Sequence, residues 1–374
     1  MRILHIYSGN LFGGIETMLV TFARAQARVP ELQHEFALTF PGRLADELTA
    51  TGALVHQLGT VRVSHPQTIL RSRQALKQVL ANGSFDGAIC HGAWPYAVFA
   101  STVRRARLPV VFWAHDAMGS RHWTERWARR TKPDLVICNS EYTAGSGTEV
   151  WPGVPRRVIY CPVEAPARQL DPVARAEVRQ ELSTPTDATV ILQASRMEAW
   201  KGHETHLDAL GQLRDRTDWH CWMVGGPQRP HEAVYYHRLQ SQAATLGIGD
   251  RVHFLGQRAD VSRLMAAADV FCQPNLSPEP FGIVFIESLY AGLPVVTSAG
   301  GGAQEIVDET CGILVLPGDV QALTAALRSL LEDPARRNEL SVVGPQRAAE
   351  VSDPVQQSRR LHETLAAALA LADE

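Results

Sequence analysis

Apolar residues follow two rhythms along this chain. Short unbroken apolar runs alternate with longer stretches in which apolar residues recur at helical spacing. The first run is Arg2–Tyr7, followed by the loop S-G-N-L-F-G-G and then by Ile15, Met18, Leu19 and Phe22 on one helical face. Further strands are predicted at Phe36–Phe40, Ala53–Leu58, Gly87–Cys90, Val110–Ala114, Leu135–Cys138 and Val158–Tyr160. Unbroken apolar runs suit parallel strands covered on both faces, and their alternation with helices predicts a doubly wound α/β sheet.

A second alternation begins at Ala188. Its strands are predicted at Thr189–Gln193, His220–Val224, Val252–Leu255, Val270–Gln273, Val295–Thr297 and Ile313–Val315. Between the halves, Cys161–Arg168 contains Pro162 and Pro166 and reads as a hinge. A last helix, about Val355–Ala372, starts behind S-D-P, a good start signal. The pattern thus predicts two Rossmann-like domains, residues 1–165 joined by 354–374, and residues 166–353.

The most informative stretch is S-P-E-P-F-G-I-V-F-I-E-S-L-Y-A-G-L-P-V-V-T-S-A-G-G-G, Ser277–Gly302. Pro278 and Pro280 keep its start out of a helix. A helix can begin near Gly282, turn Val284, Phe285, Ile286 and Leu289 inward, and stop at Gly292. Two carboxylates stand here, Glu279 in the loop and Glu287 on the helix. Glu279 precedes the positive helix end with its unpaired N–H groups. That arrangement suits an anionic ligand carrying hydroxyls, such as a nucleotide sugar. A capping loop followed by a solvated glutamate is the plainer alternative, and spacing alone leaves both open.

Length and composition bound the reading. The chain has 374 residues, enough for two ordinary domains, and its 45% hydrophobic and 20% charged content is that of a folded globular protein. No apolar run approaches the roughly 20 residues that span a bilayer. The first strand begins where a secretory leader would put its apolar core. Six scattered cysteines without Cys-x-x-Cys predict neither a disulfide framework nor a zinc site, and a reducing cytoplasm fits best. Residues 1–162 carry 18 Lys+Arg against 11 Asp+Glu, a net of +7, while the remainder nets −10. A basic first half suits an anionic partner or membrane surface, although surface composition alone could produce it. Its densest part is S-R-H-W-T-E-R-W-A-R-R-T-K, Ser120–Lys132, where Trp123 and Trp127 would share a helix face. R-R-A-R at Arg104–Arg107 adds to it. Tryptophans on one helix face are more often core, and an anionic soluble acceptor would use the same cations.

The run E-P-F-G-I-V-F-I-E, with A-G-L-P-V-V and a glycine-rich loop behind it, resembles the Glu-x7-Glu signature of retaining GT-B glycosyltransferases. More narrowly, it is similar to glycosyltransferase family 4. The resemblance spans nearly the whole chain, loosely over residues 30–110. It implies a two-domain GT-B fold with a cleft, an acceptor-binding first domain, a donor-binding second domain and a terminal helix crossing back. It implies that Glu279 contacts the donor sugar, that Glu287 binds the ribose, that main chain at Phe281 and Gly282 touches the sugar, and that Ile283 belongs to the donor site.

Other motifs are weaker alone. Gly13 and Gly14 allow close backbone approach to phosphate, but a glycine pair is ordinarily only a turn; in the family, G-G-x-E lies against the donor diphosphate. The loop lacks G-x-G-x-x-G, which disfavours a dinucleotide dehydrogenase. His115 follows the strand V-V-F-W-A, where open α/β sheets place ligands; the family has a sugar-contacting histidine there, which Asp116 is expected to orient. Arg196 and Lys201 share one strand-end loop, A-S-R-M-E-A-W-K-G, and suit a diphosphate leaving group. The family pattern has glycine where Ser195 stands, which leaves the loop's backbone shape open. Gly225 lies in a strand-end glycine turn, and V-H-F-L-G-Q-R, with Gln257 and Arg258, resembles the segment that receives the nucleotide base. Gly300–Gly302 is a loop that could approach phosphate or sugar, with Glu305 beside it.

No Asp-x-Asp and no H-E-x-x-H occur. The expectation is a cytoplasmic, metal-independent, retaining hexosyltransferase that needs no cofactor and takes a UDP- or GDP-linked sugar as donor. Its acceptor would be a glycan, a lipid-linked molecule or a small molecule, not nucleic acid. An epimerase, a phosphorylase and a catalytically silent nucleotide-sugar-binding subunit are the alternatives.

Overall fold

Strand β1 (Arg2–Tyr7) is buried along Ile3, Leu4, His5 and Ile6, so helices must cover both of its faces. The computed structural model describes residues 1–9, 13–119, 122–166 and 171–370. Asn10–Phe12 of the first loop, Ser120 and Arg121 of the basic segment, Ala167 and Arg168 of the expected hinge, and Leu371 and Ala372 of the last helix lie outside the described residues.

The chain forms two compact units, Met1–Glu164 with Ser352–Glu374, and Ala165–Val351. In the first, β1 is followed by β2 (Gln33–Leu38), β3 (Leu54–Gln57), β4 (Gly87–His91), β5 (Val110–Ala114), β6 (Leu135–Cys138) and β7 (Arg156–Val158). All pairings are parallel, in the order β3-β2-β1-β4-β5-β6-β7. The chain winds outward through β2 and β3, then returns to set β4 beside β1. That reversal opens a crevice at the carboxyl ends of β1 and β4. The helix Pro354–Ala370, with Pro354 in its first turn, packs on the helix Gly14–Ala25 and buries Leu361 and Leu365.

The second unit holds β8 (Thr189–Ala194), β9 (Trp219–Val224), β10 (Val252–Gly256), β11 (Val270–Gln273), β12 (Val295–Ser298) and β13 (Gly312–Val315), in the order β10-β9-β8-β11-β12-β13. Its reversal falls between β8 and β11. The helix Ile283–Tyr290 begins one residue after Gly282 and buries Phe285, Ile286 and Leu289, while Val284 is only partly covered.

Two strands differ from expectation. β2 starts at Gln33 rather than Phe36, because polar residues mask it. Glu35 is buried between Arg2 and His56, paired to both, and His34 is buried beside His5. β7 ends at Val158 instead of beginning there. It has one neighbour only, and an edge strand can carry Arg156 and Arg157 where a central one cannot.

In the second unit Asp269 accepts from Arg175, Arg179 and the Val190 N–H, and Arg179 also donates to the Ala188 and Ala267 carbonyls. This fastens the helix Pro172–Glu181 to the start of β8 and β11. Asp269→Ala would strand a buried guanidinium, a loss of about 3–5 kcal/mol. At about 2–4 °C per kcal/mol we expect the unit's thermal transition to fall by roughly 6–20 °C in calorimetry; an unshifted transition would refute this role.

Candidate active site

The loops after β8 and β11 flank the reversal of the second sheet, and they carry most of the singled-out residues. They approach so closely that side chains are excluded. A Cβ on Gly202 (φ +73°) would run into the Pro274 carbonyl, and one on Gly225 (φ +137°) into the Ser195 carbonyl. Ser195, where the family pattern has glycine, needs no unusual backbone; its N–H donates to the Val224 carbonyl and its hydroxyl lies 3.0 Å from His203 Nε2.

Lys201 and Glu279 meet at the centre. Both are buried, and the Lys201 ammonium donates to Glu279 Oε2 over 2.7 Å. Asn275 Nδ2 donates to the same oxygen over 2.7 Å, and Gln273 Nε2 in turn donates to Asn275 Oδ1. Lys201 Nζ also stands 3.8 Å from the centre of the Trp200 ring. Glu279 is held from behind as well: its carbonyl accepts from the Gly302 N–H at 2.7 Å, and its N–H donates to Gly300. Arg196 is more than half exposed and pairs with Glu198. The result is one fixed carboxylate paired with a buried cation just ahead of the helix Ile283–Tyr290, with a second, exposed cation on the loop that carries Lys201.

Phe281 is buried, Gly282 takes a left-handed backbone (φ +108°), and Ile283 opens the helix. One full turn in, Glu287 is half-buried. Its carboxylate has no hydrogen-bond partner among the described residues, and loss of water pushes its pKa up to about 7. Gly225 donates its N–H to the Gly256 carbonyl, which brings Gln257 beside Gly226. The Arg258 guanidinium donates through Nε and Nη2 to Asp260 and Glu181.

In the first unit His115 is buried just past β5. Its Nε2 lies 2.9 Å from His91 Nδ1, and its carbonyl accepts from Asn139, so the ring is oriented by His91 and not by Asp116. Gly14 opens a helix, and the Gly13 N–H donates to Glu16, whose carboxylate also accepts from Tyr7. Among the described residues no three His, Cys, Asp or Glu side chains are grouped to hold a metal ion, and no helix is long and apolar enough to cross a membrane.

Comparison with known proteins agrees with this arrangement. Residues 12–165 match the model of Glycosyltransferase Family 4, and residues 174–347 that of Glycosyl transferases group 1. The chain belongs to glycosyltransferase family 4. This family 4 chain is 29% identical to the lipopolysaccharide core biosynthesis glycosyltransferase LpsD of Rhizobium meliloti, over 92% of each chain. It is also 29% identical to a GDP-mannose-dependent alpha-(1-6)-phosphatidylinositol monomannoside mannosyltransferase of Mycolicibacterium smegmatis, over 89% of each. Its fold is GT-B: the structure of Anabaena Alr3699/HepE in complex with UDP and glucose superposes with a TM-score of 0.84 and 26% identity, covering 98% of this chain and 99% of that one.

Sequence reasoning about this glycosyltransferase missed Asn275, Gln273, Trp200 and His91. The available signal was polarity in the wrong place. Gln273 and His91 each close a strand that is otherwise apolar, and a buried polar side chain there needs a partner.

The raised pKa of Glu287 has a stability consequence. The folded state keeps this proton up to about pH 7, whereas the unfolded chain releases it near 4.5. Stability therefore falls as pH rises through that window, and the full penalty is present above pH 7. Glu287→Gln is expected to stabilise the protein above pH 7 by about 2 kcal/mol, discounted for partial exposure, and to change little below pH 4.5. Urea unfolding at pH 5 and pH 8 measures this, and equal shifts at both would refute it.

Proposed function

We propose that this chain moves a hexose-type sugar from a UDP- or GDP-linked donor to a glycan, lipid-linked or small-molecule acceptor, retaining the anomeric configuration and using no metal ion. The observation that carries this reading is the buried Lys201–Glu279–Asn275 cluster at the switch-point end of the second sheet. Lys201 and Arg196 face the diphosphate, whose charge grows as it departs, and stabilise the transition state more than the ground state. Glu279, locked by Lys201, Asn275 and Gly302, positions the sugar. Glu287 accepts the ribose hydroxyls, which restores the solvation that burial removed. Gly13, Gly14, Gly225, Gln257, Phe281, Gly282 and Ile283 line the donor through main chain, and His115 touches the transferred sugar.

Neither carboxylate serves as a nucleophile in this reading: Glu279 is held through Oε2 by Lys201 and Asn275, and Glu287 is kept for the ribose. The bond from the anomeric carbon to the diphosphate breaks, the acceptor oxygen joins on the same face through an oxocarbenium-like state, and the acceptor's proton passes to the departing diphosphate. The UDP and glucose held by the HepE structure and the GDP-mannose named for the mycobacterial relative support a nucleotide-sugar donor and leave both bases open. NMR of the first-formed product is expected to show the donor's anomeric configuration kept, with full turnover in chelator; an inverted product or a strict need for manganese or magnesium would overturn the mechanism. Glu287→Ala is expected to weaken free nucleoside diphosphate by roughly 1.5–3 kcal/mol in calorimetry, as for a charged hydrogen bond.

We also infer peripheral attachment to an anionic membrane from the inner side. Arg104 donates to the Lys132 carbonyl and pairs with Asp134, so the two basic segments form one exposed surface with Arg105, Arg126, Arg129, Arg130 and Lys132. The tryptophans divide their roles: Trp127 packs against the core, and only Trp123, 43% exposed, is available to a bilayer. Lipid-directed relatives such as the phosphatidylinositol monomannoside mannosyltransferase support the reading. Basic residues near an anionic surface contribute about 1 kcal/mol each. Co-sedimentation should favour anionic over neutral vesicles and weaken with salt; no such preference would leave a soluble acceptor.

A further inference from the structure

Four histidines form one file through the first unit. His34 Nδ1 lies 2.8 Å from His5 Nε2, His5 Nδ1 lies 2.8 Å from His91 Nε2, and His91 Nδ1 lies 2.9 Å from His115 Nε2. All four are buried. The sheet register produces the file. His34 stands opposite Ile3, two residues before His5; His91 follows the Cys90–Ile6 pair, so it is two residues further on than His5; His115 is two residues beyond Trp113, the partner of His91. A step of two residues per strand keeps every ring on one face of the sheet. The file therefore runs diagonally across β2, β1, β4 and β5, ending past the carboxyl end of β5. Phe22 from the covering helix packs on His34 and on Trp113, and Trp113 stacks on His91 and His115.

These surroundings keep the rings neutral. Burial pushes the pKa of His34 and His115 down to about 3, and those of His5 and His91 well below the ordinary value. A neutral imidazole has one N–H and one lone pair. In an unbranched file every ring must then donate in the same sense, and the choice at one end sets all four. The far end decides it. His34 Nε2 is buried without a partner among the described residues. If the file ran from His115 to His34, that nitrogen would be an unpaired buried N–H. If it runs from His34 to His115, the nitrogen is only an unused lone pair against Phe22. Buried donors are left unpaired more rarely than acceptors.

We propose that His34, His5 and His91 are positioning residues that fix His115 as its Nδ1–H tautomer, so that it meets the substrate as a hydrogen-bond donor and not as a base. This rests on His115 touching the transferred sugar, as set out above. With Nε2 filled by the His91 N–H, Nδ1 makes no hydrogen bond among the described residues and is the nitrogen left for an oxygen of the donor. A donor fixed in advance needs no reorganisation as charge develops.

The test begins with the full chain carrying ¹⁵N-labelled histidine. Long-range ¹H–¹⁵N correlation is expected to show protonated Nδ1 and bare Nε2 in all four rings; the opposite tautomer at His115, or a doubly protonated ring, would overturn the proposal. Two variants then read function. His34→Asn keeps an N–H where Nδ1 stood and is expected to stay within about threefold of wild-type kcat, whereas His34→Phe lacks it and should lose about 10–100-fold, as outer-sphere partners of functional histidines do, with donor KM little changed. A purely structural role predicts the reverse order, because phenylalanine fills the space and asparagine does not. Equal turnover in both variants, or that reverse order, would refute the relay. His115→Ala separates the two readings: lost turnover there with equal His34 variants sinks the relay alone, and unchanged turnover there sinks the role given to His115.

Discussion

The second unit's site depends on the buried pairing of Lys201 with Glu279. These residues leave the carboxyl ends of β8 and β11, the two strands between which the sheet reverses, and the pair ties their loops together. A buried ion pair is not a cheap fastening. Two ions must be removed from water, and their attraction compensates only when the remaining hydrogen-bonding capacity is filled. Asn275 fills part of it on the carboxylate, Trp200 faces the ammonium, and the Gly300–Gly302 loop grips the Glu279 backbone. The neighbouring glycines follow from the same demand, since a side chain at Gly202 or Gly301 would push the loops apart.

Around that pair the unit sets its charges in opposite conditions. Glu279 is saturated on one oxygen by fixed donors, while Glu287, on the helix that follows, is deprived of water and has no hydrogen-bond partner among the described residues. A carboxylate left in this state destabilises the fold and is ready for hydroxyl donors from outside. Stability is set against binding at that one residue.

The first unit solves a different problem with neutral groups. Its histidines satisfy one another along a diagonal of the sheet. Polar atoms are thereby carried through an apolar core to the sheet's open end. The same unit exposes a cluster of basic residues on the surface where Arg104 and Lys132 meet.

Much of this was legible without coordinates. The apolar runs located the central strands, because a parallel strand buried on both faces has no polar positions to hide it. Pro278, Pro280 and Gly282 marked where the helix bearing Glu287 starts, since backbone sterics act locally. The motif carried the family and placed Glu279 just ahead of the helix. Polar strands were the exception: Gln33–Glu35 was missed because its burial rests on Arg2, His56 and His5, all distant in sequence. The partners within the site were likewise out of reach. Nothing local says that Lys201 meets Glu279, 78 residues away, or that His91 and not Asp116 holds His115. The sequence determined which residue types stand at each strand end, because propensity and periodicity are properties of neighbours. Tertiary structure alone decided which of them touch, because the order and register of parallel strands bring together residues that the chain keeps far apart.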